Sequence, residues 1–379
     1  MVNIIERLIL KQIIEKLQKS NKIVIIYGAR QVGKTTLAEK IIKQLNLKTL
    51  KINADEKKYH DILGSRDLDK MKSLVSGYEL LFIDEAQRIE NIGINLKILS
   101  DGIKNLKIIV TGSSSFELAN KIKEPLTGRT WTYNLFPLSF LELSKVHNEF
   151  ELKGFLDNFL VFGGYPEIFT TENIIDKKKL LEEIATSYLY KDILELESIK
   201  KSEKIYKLLK LLSFQIGHEV SINELATNLE LNSETVRRYL DLLEKSFVIF
   251  RLSALSKNPR KEIAKKDKIY FYDLGVRNVL IDNLNFLDSR NDTGQLFENF
   301  LIVERMKKMK YQEHAVSSYF WRAYTGSEID YIEEMAGKFN AYEFKYGKRK
   351  VRLPQKFLDS YGKSDFRVIN KDNYLEFVL

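Results

Sequence analysis

Three sets of side chains in this sequence have the types and spacings for chemistry on phosphates. The first is Gly28-Ala29-Arg30-Gln31-Val32-Gly33-Lys34-Thr35-Thr36. Its two glycines allow a tight backbone path, so that successive N–H groups and the positive end of a following helix surround a polyphosphate. Lys34 then reaches the β- and γ-phosphates of ATP, and the Thr35 hydroxyl ligates Mg²⁺. The second set is the adjacent pair Asp84 and Glu85. Asp84 suits the Mg²⁺ shell and Glu85 the activation of the attacking water. Helix capping accounts for one such acid but not for two at the end of a buried strand. The third set is Glu298, Asp330, Glu343 and Lys345. Its three acids suit a divalent cation, and Lys345 would orient or deprotonate a water attacking a phosphodiester.

These groups need elements to position them. The β-branched run Ile23 to Ile26 predicts a strand buried on both faces, delivering the glycine-rich loop into a helix. Further strands are expected over 48–53, over 79–84 ending at the acid pair, over 106–110 and over 131–135. The fourth of the five runs into Thr111 and Ser113, hydroxyls at the carboxyl end of a strand, where open α/β sheets bind ligands. Thr111 or Ser113 would sense the γ-phosphate, or these hydroxyls cap the next helix; both can hold at once. Arg129 stands just before the fifth strand, at the rim of the sheet. From there it would reach the γ-phosphate of a neighbouring subunit, which implies a homo-oligomer.

Between about 146 and 258 the pattern turns helical. Apolar residues recur every three to four positions over 149–162 and 176–196, which predicts a helical lid, with Gly163-Gly164-Tyr165-Pro166 breaking the two. Ser221 with Glu224 has the form of a capping box, a second helix begins near Ser233, and a strand is expected over 247–252. Helix, turn, helix and strand resemble a winged helix. Arg237 and Arg238 on its second helix could meet DNA phosphates, or the module could serve to bind protein.

From about 259 a basic linker precedes a strand over 268–272, a helix over 294–304 and a strand pair carrying Asp330 and Glu343-x-Lys345. Alternate residues of a strand share a face, so Glu343 and Lys345 point the same way. This is the pattern of the restriction-endonuclease-like fold. Five basic residues between Lys345 and Arg352, with no acid among them, lie beside it.

The loop GARQVGKTTL, LLFIDEAQRI, IVTGSSSFEL, LTGRTWTYNLFPLSFLEL and FGGYPEI, in that order, resemble a widespread prokaryotic family of AAA-type ATPases with a carboxyl-terminal restriction-endonuclease-like domain. The resemblance covers nearly the whole chain. It implies a three-layer αβα core with sheet order 5-1-4-3-2. The expected architecture is therefore α/β throughout: a P-loop ATPase core over 1–145, a helical lid and winged-helix module over 146–258, and a nuclease-like α/β domain over 259–379.

Composition sets outer bounds. A chain of 379 residues with 44% hydrophobic content can hold two or three cores. It has no cysteine, so neither disulfides nor thiolate metal sites are available, in keeping with a cytoplasmic protein. The first 22 residues read as an amphipathic helix rather than a signal peptide, and no run approaches a membrane span. A net charge of +9 suits an anionic partner such as DNA. These features together predict a Mg²⁺-dependent ATPase coupled to a nuclease-like domain that acts on or binds nucleic acid. The alternative is a regulatory ATPase whose nuclease-fold domain is catalytically silent and binds DNA or a protein partner.

Overall fold

The run Ile23–Gly28 forms strand β1, buried at every position. It pairs in parallel with β4 (Lys107–Gly112) on one side and β5 (Thr130–Leu135) on the other. Next, β3 (Leu80–Asp84) joins β4 and β2 (Thr49–Asn53) joins β3, again in parallel. The order β2-β3-β4-β1-β5 is the 5-1-4-3-2 arrangement that the resemblance implies. Parallel neighbours require crossovers; the helices Lys34–Leu45, Leu68–Val75 and Ile92–Gly102 lie between successive strands. The register brings the carboxyl ends of β1, β3 and β4 together. The amino-terminal helix, Ile9–Lys19, buries Ile9, Leu10, Ile13 and Leu17 along one stripe, as its periodicity predicts.

The computed structural model describes residues 5–112, 126–187, 202–256, 266–362 and 364–379. They fall into two compact units, one formed chiefly by residues up to Phe136 and the other chiefly by residues from Pro137 onward. Residues 137–145, assigned to the ATPase core in the sequence, thus fold with the second unit. The reason is aromatic burial: Phe140 lies edge-on to Phe159 and Phe300, each at 4.9 Å between ring centres, and its N–H donates to the buried Glu304 carboxylate at 2.6 Å.

In the second unit the helix Glu149–Phe162 has its expected bounds, started by Asn148 and Glu151 in a reciprocal cap. A helix spans Ile174–Ser187, and the rest of the second predicted lid helix lies outside the described residues. The helices Ile222–Leu229 and Ser233–Lys245 follow. Ser221 accepts the Glu224 N–H at 3.5 Å, a cap without the reciprocal bond that the sequence suggests.

After them, β6 (Ile249–Ala254) pairs antiparallel with β7 (Lys268–Phe271). Through Ser253 and Ala254 it also pairs in parallel with β8 (Ser317–Arg322). The strand expected to close a winged helix is therefore an inner member of a six-stranded sheet, β11-β10-β9-β8-β6-β7. The others are β9 (Glu328–Met335), β10 (Lys338–Phe344) and β11 (Asp365–Ile369). Trp321, Ile329, Ile332 and Ala341 pack on this sheet with Phe357 of the helix Gln355–Tyr361. The helix Thr293–Tyr311 contacts β7 and β10.

Candidate functional site

The first unit assembles a phosphate-binding loop at the carboxyl end of β1. Gly28 must be glycine because a Cβ there would stand 2.3 Å from the Leu135 carbonyl oxygen of β5. Gly33, at φ 95°, turns the chain into the helix that starts at Lys34. Gln31 also takes a positive φ of 60°, a cost for a residue with a side chain and one met at functional loops. Ala29 and Val32 are buried, Arg30 is half-buried, and Gln31, Thr35 and Thr36 are exposed. The Lys34 ammonium is held within the loop by the carbonyls of Gly28 and Ala29, at 2.9 and 2.8 Å.

Separate stretches of sequence meet at this loop. The Thr35 hydroxyl donates to Asp84 Oδ2 at 2.8 Å. Thr111, fully buried at the end of β4, donates its hydroxyl to Asp84 Oδ1 and accepts the Glu85 N–H at 3.3 Å. Glu85 stands in the left-handed region at φ 53°, and its carboxylate accepts from the Gln87 amide. Thr111 thus fixes both acids in place, a role beside the expected sensing of phosphate; Ser113 lies outside the described residues.

Arg129 sits elsewhere. Its carbonyl accepts from Ile23 N–H at 2.9 Å, at the opposite end of β1 from the loop, and its guanidinium pairs with Asp101 at 2.9 Å on the surface. It cannot serve the nucleotide of its own chain.

Two residues of the site escaped the sequence reading. Buried Arg7 donates to the Val32 carbonyl at 2.7 Å and to the Phe136 carbonyl at 2.5 Å, tying the loop to the end of β5. Gln87 steadies Glu85. Gln87 could have been suspected from its place two residues after the acid pair, whereas nothing local marks an arginine 21 positions before the loop.

The second unit brings together the third predicted set and adds to it. Asp330 from β9 accepts the Phe344 N–H at 2.8 Å; Lys345 donates to Glu343 at 2.7 Å and stands 3.8 Å from Asp330. Glu298 is turned to two donors of β7, the Tyr270 hydroxyl at 2.6 Å and the Lys268 ammonium at 3.4 Å. Lys268 also pairs with Glu328. Among the described residues no three acidic or histidine side chains converge as metal ligands, so the expected set of Glu298, Asp330 and Glu343 is not assembled as one. The physical reason is that Lys268 and Tyr270 already occupy Glu298.

Burial raises the carboxyls of Asp330 and Glu343 above their ordinary range, and each feels other acids nearby. Burial likewise pushes Glu298 up to about 7, against the opposing pull of Lys268. For Lys345 burial works the other way, but its bond to Glu343 and the charge of Asp330 outweigh it and raise the ammonium. Perturbed groups gathered in this way mark either a functional site or a structural ion network.

Comparison with known proteins divides the chain differently, the first match running past Phe136 into residues that fold with the second unit. Residues 20–144 match a family described as an AAA domain, while 154–287 and 293–374 match two domains of unknown function, DUF8612 and DUF4143. An uncharacterised protein of Methanocaldococcus jannaschii is 29% identical over 307 residues, 76% of this chain and 67% of that one. One from Mycobacterium tuberculosis is 28% identical over 326 residues, covering 85% and 70% respectively. Among solved structures, the Walker-type ATPase of Pyrococcus abyssi overlays with a TM-score of 0.50 at 15% identity, over 73% of this chain and 96% of that one. The loop, the acid pair and the parallel sheet order, with these likenesses, define a nucleotide-binding P-loop ATPase fold of the AAA type. Among the described residues no helix is long and apolar enough to cross a membrane.

Proposed function

We propose that the protein is a Mg²⁺-dependent, homo-oligomeric ATPase of the cytoplasm, in which the nucleotide state governs a nuclease-like site acting on or binding nucleic acid. The observation that carries the ATPase reading is the approach of Thr35 to Asp84 at 2.8 Å beside the loop. A hydroxyl and a carboxylate are the hard oxygen donors that Mg²⁺ takes together with substrate phosphates, so the residues present fit the ion. When bound, the ion would neutralise phosphate charge. Lys34 supplies the charge for the β- and γ-phosphates, and Glu85, steadied by Gln87, takes the proton from the attacking water. Lys34→Ala should abolish ATP binding, whereas Glu85→Gln should bind ATP and lose turnover by about 10²-fold or more. Hydrolysis at the wild-type rate by Glu85→Gln would remove Glu85 from its role.

One observation favours a second reading of the carboxyl-terminal site. Glu298 is engaged by Lys268 and Tyr270, as in a nuclease fold that has become a binding module for DNA or protein. Offering the wild type Mg²⁺ or Mn²⁺, ATP and single-stranded, duplex and branched DNA separates the two. Cleavage lost in Asp330→Ala, Glu343→Ala and Lys345→Ala supports catalysis. Binding without cleavage, falling steeply as salt rises and weakened by changes at Arg349, Lys350 and Arg352, supports the silent module.

A further inference from the structure

The carboxylates of the second unit already have a cation among them. Lys268, the first residue of β7, is only 2% exposed. Its ammonium pairs with Glu328, stands 3.4 Å from Glu298 and lies 5.3 Å over the ring of Phe320. Tyr270, two residues on and therefore on the same face of the strand, donates to the same oxygen of Glu298. Four carboxyls, those of Glu298, Glu328, Asp330 and Glu343, share the region with two ammoniums, Lys268 and Lys345. Arg322 reaches Glu328 from the rim at 3.9 Å, with Glu219 at 3.5 Å as its other partner. Glu343 Oε2 is buried without a hydrogen-bond partner. Lys268 serves two of these carboxyls, Glu298 and Glu328, and Lys345 the other two, Asp330 and Glu343.

We propose that Lys268 is a positioning residue that acts as the resident counter-ion of these acids, in competition with a divalent cation. The proposal rests on the reading of this cluster as a nuclease-like site. Buried carboxylates demand compensation, and an ammonium close to them repels any divalent ion that would take its place. Displacing or neutralising Lys268 would release Glu298 and Glu328 to join Asp330 and Glu343 around a metal ion.

The test is titration of nucleotide-free, full-length protein with Mn²⁺, following free Mn²⁺ by electron paramagnetic resonance. Lys268→Met keeps the length of the side chain and removes its charge; Mn²⁺ affinity should rise by at least about tenfold. A merely structural lesion would not raise it. Adding Asp330→Asn should abolish the gain, and Lys268→Arg, which keeps the charge, should show none. Should Lys268→Met fail to fold, Lys268→Gln, which removes the charge but keeps a polar group that can donate to Glu298 and Glu328, should show the same gain. Unchanged or lower affinity in the folded variants overturns the proposal, as does a wild type that already binds Mn²⁺ as tightly as they do. DNA cleavage is scored separately: a gain in Mn²⁺ affinity without cleavage leaves Lys268 its role and removes the nuclease reading, and cleavage with no gain does the reverse.

Discussion

The buried guanidinium of Arg7 is a single residue on which the geometry of the nucleotide loop depends. It spans from the Val32 carbonyl to the Phe136 carbonyl, so that one side chain ties the loop to the end of β5. Bonds of this kind, from a charged donor to buried carbonyls, contribute about 1.5–3 kcal/mol each. Arg7→Met keeps much of the apolar stem and loses both. ATP affinity should fall by about tenfold with turnover of the bound nucleotide little changed, because the loop is loosened while Glu85 and Asp84 stay in place. Nucleotide titration of the variant, with single-turnover kinetics, checks this; an unaltered affinity would show that the loop holds its shape without Arg7.

At the scale of elements, the junction between β7 and the helix Leu274–Leu280 is organised by one buried carboxylate. Asp273 caps that helix by accepting the Val276 N–H at 3.1 Å, and accepts the Gly164 N–H at 2.8 Å from the turn after Glu149–Phe162. Nearby, the Asn278 amide donates to the carbonyls of Leu160 and Val161. The sequence presents Gly163-Gly164 as a break between helices; in the structure it is where two distant stretches are fastened. Burial raises the Asp273 carboxyl above its ordinary range despite these donors. The folded state then holds a proton that the unfolded state has released, so stability falls as pH rises through the window from the ordinary carboxylate range to the raised value, and is flat above it. Urea unfolding of the wild type between about pH 4 and about pH 8 should show that decline, shared with Glu298, Glu304, Asp330 and Glu343, which burial also raises. Asp273→Asn should be less stable by about 1–3 kcal/mol and show a shallower slope. An unchanged slope would place the titration elsewhere.

At the scale of the molecule, Arg129 lies at the far end of β1 from the loop, so any action on ATP must be on a neighbour's. Its pairing with Asp101 is exposed on both sides, and such pairs are readily exchanged. Specific ATPase activity should rise with protein concentration, and Arg129→Ala should lose up to about 10³-fold in turnover while still binding ATP. Mixing Arg129→Ala with Glu85→Gln subunits, under conditions of exchange, should restore activity, since each supplies what the other lacks. No recovery would end the case for an arginine acting across subunits.

The sequence by itself determined the elements that carry their own signal. A β-branched run, two glycines and a lysine specify strand, loop and helix locally, because the backbone path and the phosphate cradle are made by neighbours in sequence; the acid pair at the end of β3 and the Asp330, Glu343, Lys345 pattern were legible for the same reason. Strands β8 and β11 were not, because Ser317–Arg322 and Asp365–Ile369 are short and mixed in polarity, and only pairing with β9 and β10 makes them strands. Nor could spacing show that β6 would join a six-stranded sheet instead of standing as a wing, since hydrogen bonds to β8 form between residues about 66 positions apart. Arg7 and Lys268 belong to the same class. A buried cation is tolerated only where carbonyls or carboxylates from distant strands surround it, and that surrounding exists only once the chain has folded.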